Sequence, residues 1–184
     1  MKFLLSFIVF IFLFPEGKSE EKKSIKRNLP NYDFPFTEGE GYIPGGIPFK
    51  HVIKNEKNEL FSMEDPGGKV VILLLFTTWC QNCPVVLRDF DFLVEKFKNQ
   101  NNLKIIALNI GNESINYLKI HYKANNIQFL DVYHSISPEV FKDVPGVPAC
   151  LLFDKKGNPV WGYLGIVDYG SPKFIEFMEK LING

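Results

Sequence analysis

Apolar residues in this chain gather into short unbroken runs separated by polar breaks, and between the runs they recur at helical spacing. Residues 70–76 are apolar and rich in branched side chains, which predicts a strand buried on both faces. Val85, Val86, Phe90, Leu93, Val94 and Phe97 then form an apolar stripe that predicts a helix starting at or just after Cys80. Pro84 falls in its first turn, where a missing N–H breaks no helical bond. After a polar break, residues 103–110 read as a second buried strand, so strand, helix and strand predict a right-handed parallel crossover.

Further along, residues 114–124 predict a moderately amphipathic helix through Ile115, Leu118, Ile120 and Tyr122. Residues 127–132 predict a short strand and residues 138–142 one helical turn. A loop punctuated by Pro145 and Pro148 enters an apolar strand ending at Phe153, and residues 155–158 turn the chain into another strand over 159–164. Residues 172–182 predict a closing helix with Phe174, Ile175, Phe177, Met178 and Leu181 inward. Upstream, residues 49–53 and 59–63 flank a polar turn, which predicts a hairpin. No internal repeat is visible.

The N-terminus has a different pattern. Met1 and Lys2 precede an apolar run over residues 3–14, followed by Pro15, Glu16, Gly17, Lys18 and Ser19. That is the charge, core and polar flank of a secretory signal, and the run is short of the ~20 apolar residues of a membrane span. A cleaved signal peptide and an uncleaved membrane anchor both fit residues 1–19. Residues 20–48 read as a linker and an irregular Pro/Gly-rich segment, and residues 49–184 as one domain with a sizeable core. Lys plus Arg equals Asp plus Glu at 21 each, so no net field favours nucleic acid. The 3 cysteines are too few for a disulfide-stapled scaffold.

The candidate chemistry lies where the first buried run ends, in Trp79-Cys80-Gln81-Asn82-Cys83-Pro84. A cysteine at a helix N-terminus is held toward the thiolate by unpaired N–H groups and the macrodipole, and the thiolate is the nucleophile of disulfide exchange. Cys83, one turn on, is spaced to close a disulfide with Cys80 or to resolve a mixed one. Trp79 is placed either to contact a substrate or to pack. Other readings of the pair need more ligands. Zinc would have to recruit Cys150, His51, His121 or His134, which are scattered, and a copper site would use His134 with the two cysteines. Cys150, one residue into an apolar strand, reads as a buried inert thiol.

Several segments converge on one family. Gly68-Lys69-Val70-Val71, Phe76-Thr77-Thr78-Trp79-Cys80-Gln81-Asn82-Cys83, the stretch from Gly146 through Pro148 to Asp154 with Gly157, and Gly165, Asp168, Tyr169, Ser171 and Pro172 resemble the exported TlpA/ResA/CcmG-like thiol–disulfide oxidoreductases. The resemblance spans residues 49–181 and implies an α/β thioredoxin-like fold, a central mixed β-sheet flanked by helices with an N-terminal β-hairpin extension. It implies Cys80 as nucleophile, Cys83 as resolving thiol, and Trp79, Val147 and Pro148 as substrate-binding residues, with a cis Val147–Pro148 bond facing the sulfurs. It further implies no cofactor beyond the Cys80–Cys83 disulfide and partners that are disulfide-containing or dithiol proteins. A thiol-type membrane electron donor, a periplasmic location and a role in cytochrome c maturation or oxidase copper-site assembly follow by analogy. An oxidant or isomerase stays open as an alternative.

The chain departs from its relatives at the dipeptide Gln81-Asn82, which lacks their frequent proline before the second cysteine, and at the proton acceptor. Thioredoxins carry a buried acid where this chain has Leu74 and a lysine where it has Ala107, and TlpA-like proteins often place a glutamate where it has Val86. A buried carboxylate would act as general base toward Cys83, so its loss is expected to slow resolution.

Overall fold

The computed structural model describes residues 52–62, 65–135, 144 and 146–184. The N-terminal segment, residues 49–51 and 63 of the hairpin, and the helical turn expected at 138–142 lie outside the described residues. Among the described residues, seven strands form one mixed sheet in the order β2-β1-β5-β4-β3-β6-β7. They are β1 Val52–Asn55, β2 Leu60–Ser62, β3 Val70–Phe76, β4 Leu103–Asn109, β5 Tyr133–Ser135, β6 Ala149–Phe153 and β7 Pro159–Leu164. The helices are α1 Cys83–Lys96, α2 Ile115–Ala124 and α3 Pro172–Asn183. Strands β3, β4 and β5 run parallel, while β6 is antiparallel to β3 and β7 to β6. The β1/β2 pair joins this sheet through antiparallel pairing of β1 with β5.

Every residue of β3 is buried, and alternate side chains feed two cores. Val70, Ile72, Leu74 and Phe76 face a core that takes side chains from all three helices, and Val71, Leu73 and Leu75 face a second core built from strand residues. A buried aliphatic or aromatic side chain stabilises by about 1.5–3 kcal/mol, so this strand is the part of the fold hardest to displace. Tyr169 ties the helix layer together, packing edge-on against Phe90 of α1 at 5.2 Å and Phe174 of α3 at 5.1 Å.

Three details differ from the sequence reading. Helix α1 begins at Cys83, not at Cys80, with Asn82 as its N-cap. A start at Cys80 would need the N–H of residue 84 for an early helical bond, and proline has none; turns fill the gap instead, with Cys80 N–H donating to Thr77 O at 3.4 Å and Cys83 N–H to Cys80 O at 3.3 Å. The strand expected at 127–132 forms later, as β5 at 133–135. The buried Asp91 carboxylate accepts the backbone N–H groups of Gln128 at 3.0 Å, Phe129 at 2.6 Å and Leu130 at 2.8 Å, which takes those groups out of any ladder. On the amphipathic faces, Val85 and Ile120 are exposed, not inward.

Candidate active site

Strand β3 delivers the chain to the site, and β4 braces it there, with Ile110 N–H donating to Phe76 O at 3.0 Å. The turn over 77–82 then presents Cys80 and Cys83, which are joined as a disulfide with Cα atoms 5.4 Å apart. The two sulfurs are not equivalent. Cys83 is 0 % exposed and Cys80 7 % exposed, so only Cys80 offers surface to an incoming group. The first N–H groups of α1 have no side-chain cap and its first turn holds no acidic residue, so nothing on the helix itself offsets its positive end beside Cys83. Such a pair can cycle between disulfide and dithiol, with the more accessible sulfur as the attacking one.

Trp79 and the Val147–Pro148 segment both lie where the chain passes the same end of β3. Trp79 is 74 % exposed, so its indole does not pack in the core and stands free beside Cys80. The Val147–Pro148 bond is cis. Pro148 immediately precedes Ala149, which pairs with Leu75 near the end of β3, so the proline segment and the thiol turn leave the sheet together. Pro148 O accepts the N–H of Gly165 at 2.8 Å, fixing the segment against the end of β7. Half-buried Val147 packs against both cores, and the exposed Leu164 and Ile166 add apolar surface beyond it.

Below the sulfurs the interior is apolar. Leu74 and Val86 are fully buried, and Leu74 lies between Ala107 on β4 and Cys150 on β6. Burial pushes the Cys150 thiol up to about 12, with the neighbouring Tyr169 hydroxyl opposing only in part, so Cys150 stays a neutral thiol. Among the described residues no three His, Cys, Asp or Glu side chains come together to hold a metal ion. His134 does not join the two cysteines: it pairs with Asn109, which pairs with Phe76, so two strand spacings of about 4.8 Å separate it from the end of β3.

A carboxylate that the sequence reading did not single out borders the thiol turn. Glu113, in the loop between β4 and α2, accepts the hydroxyl proton of Thr78 on its Oε1. Burial pushes its carboxyl upward, but the hydrogen bond from the Thr78 hydroxyl, helped by the nearby backbone N–H groups of Glu113 and Thr78 and the Asn109 carboxamide, outweighs it and holds the group below the usual glutamate range. Nothing in the local sequence marks this residue, because its partner lies 35 positions away.

Residues 67–159, just over half of the chain, match the model of a family described as thioredoxin-like. The chain belongs to the thioredoxin-like family. Within the same family landscape it is 25% identical over 134 residues to the thiol-disulfide oxidoreductase ResA of Bacillus subtilis, covering 70% of this chain and 72% of ResA. Solved structures share the fold at lower identity. StoA from Bacillus subtilis superposes with a TM-score of 0.55 at 20% identity, covering 69% of this chain and 94% of StoA. A putative thiol:disulfide interchange protein DsbE from Chlorobium tepidum gives 0.58 at 17% identity over 71% of this chain and 92% of its own. In this thioredoxin-like chain, no helix among the described residues is long and apolar enough to cross a membrane.

Proposed function

We propose that this thioredoxin-like thiol–disulfide oxidoreductase is an exported reductant of protein disulfides, with Cys80 as nucleophile and Cys83 as resolving thiol. The observation that carries the reading is the unequal exposure of the two bonded sulfurs at the end of a buried strand. In the reduced enzyme the Cys80 thiolate attacks one sulfur of a substrate disulfide, and the other substrate sulfur leaves as a thiolate. The Cys83 thiolate then attacks Cys80, restoring the Cys80–Cys83 disulfide and freeing the second substrate sulfur as a thiol. Two electrons pass to the substrate, and a thiol donor must return them to the enzyme.

Trp79, Val147 and Pro148 are assigned to the substrate: the exposed indole precedes Cys80 directly, and the cis segment enters β6 beside the end of β3 that leads to the thiol turn, which supports an extended peptide lying there with its disulfide toward the sulfur. The leader-like pattern of residues 1–19 supports export, with a periplasmic location and a membrane thiol donor as its consequence. In an oxidising compartment a Cys-x-x-Cys pair stays reduced only if it is fed electrons. By analogy, cytochrome c maturation or oxidase copper-site assembly is the pathway that fits.

Equilibrating the protein against thiol buffers of known potential tests this. A midpoint near the thioredoxin value of about −270 mV or lower is expected, whereas one near the DsbA value of about −120 mV would make the protein an oxidant.

A further inference from the structure

Three features converge on the Glu113 carboxylate. The Thr78 hydroxyl donates to its Oε1, and Thr78 lies inside the turn that Cys80 N–H closes onto Thr77 O. Gly111 leaves the room the carboxylate occupies: a Cβ at residue 111 would collide with Oε2 and stand 2.8 Å from the carboxyl carbon. Asn109, fully buried at the end of β4, accepts the Gly111 N–H on its Oδ1 at 3.1 Å and so fixes the loop that folds Glu113 back. Ser114 then caps α2, its side chain accepting the N–H of Tyr117 at 3.3 Å, which anchors the loop from its other end.

We propose that Glu113 is a positioning residue for the dithiol, clamping the Cys80 turn through Thr78 and setting a negative charge beside the Cys80 sulfur that keeps its thiolate from being over-stabilised. The inference rests on Cys80 being the nucleophile. Thr78 stands two residues before Cys80, so the carboxylate bonded to it is held on the turn that carries the sulfur, and a charge acting on a group only 7 % exposed is screened by salt far less than one in open solvent. A like charge disfavours the thiolate, opposing the stabilisation from the start of α1. His121, the titratable group that faces Glu113 from α2, does not cancel this charge at neutral pH, because burial favours its neutral form. A reduced state whose thiolate is less stable gives up its electrons more readily, the property a reductant needs. Glu113 thus supplies, from outside the core, a carboxylate where Leu74 and Val86 supply none.

The test is the pH profile of iodoacetamide alkylation of the reduced full-length chain, with the labelled cysteine located by mass spectrometry. Glu113→Gln keeps an acceptor for Thr78 and removes the charge. It is expected to move the Cys80 titration to lower pH; a shift of half a unit raises the thiolate fraction below the midpoint about threefold, while the plateau rate at high pH falls by less than about twofold. Gly111→Ala leaves the Glu113 charge in the chain and pushes the flexible carboxylate off the turn, so it is expected to shift the profile in the same direction. Profiles of both variants that overlay the wild type, or that move to higher pH, would overturn the proposal while leaving Cys80 as nucleophile. Label on Cys83 in the wild type would overturn both assignments at once.

Discussion

Cys83 has no exposed surface, while Cys80, bonded to it, keeps 7 %. On the proposed roles this asymmetry gives an order of events, with a substrate sulfur reaching Cys80 first and Cys83 acting on what Cys80 has captured. Cys83→Ala is therefore expected to accumulate mixed disulfides on Cys80, visible as adducts on non-reducing gels and reversed by dithiothreitol. Trapping by Cys80→Ala in its place would reverse the two roles.

Val86 lies one turn beyond Cys83 in α1 and is fully buried. Replacing it with Glu puts a carboxylate within reach of the resolving sulfur, at the cost of desolvating a charge. Val86→Glu is expected to speed the resolution step seen in stopped-flow decay of a mixed disulfide, and to lower the unfolding free energy by about 1–3 kcal/mol. An unchanged rate would mean that the absent acid does not limit exchange.

Asp91 holds three backbone N–H groups of the segment before β5. Asp91→Ala leaves those donors without a partner in a buried region, and is expected to lower stability by about 2–4 kcal/mol in urea unfolding. The dithiol lies about two helical turns away at the start of α1, so the midpoint potential should stay at the wild-type value.

Two histidines make stability depend on pH. Burial holds both His121 and His134 below the ordinary histidine value of 6.5, with Glu113 partly opposing for His121 and Lys54 adding for His134. A lowered folded-state value means that the unfolded chain takes up the proton first. The contribution is therefore fully present above about pH 6.5 and is lost as pH falls through the folded-state values. The thermal midpoint is expected to fall between pH 7.5 and pH 5, and His121→Gln with His134→Gln should flatten that slope. A double variant with the wild-type slope would assign it to other groups.

The hydrophobic pattern by itself determined β3, α1, β4, α3 and the position of the sulfur pair, because each has a strong period or an uninterrupted run and Pro84 marks the helix start. It also determined that neither the central strand nor α1 brings an acid to the sulfur pair, since Leu74 and Val86 stand where one would be. Tertiary structure alone decided the rest, because those features depend on residues far apart in the chain. Asp91 reaches Leu130 across 39 positions and displaces a strand that residues 127–132 would otherwise form. Glu113 reaches Thr78 across 35, so the carboxylate beside the dithiol is invisible to spacing and period. The unequal burial of Cys80 and Cys83, which sets the order of the chemistry, likewise exists only once α1 has packed against the sheet.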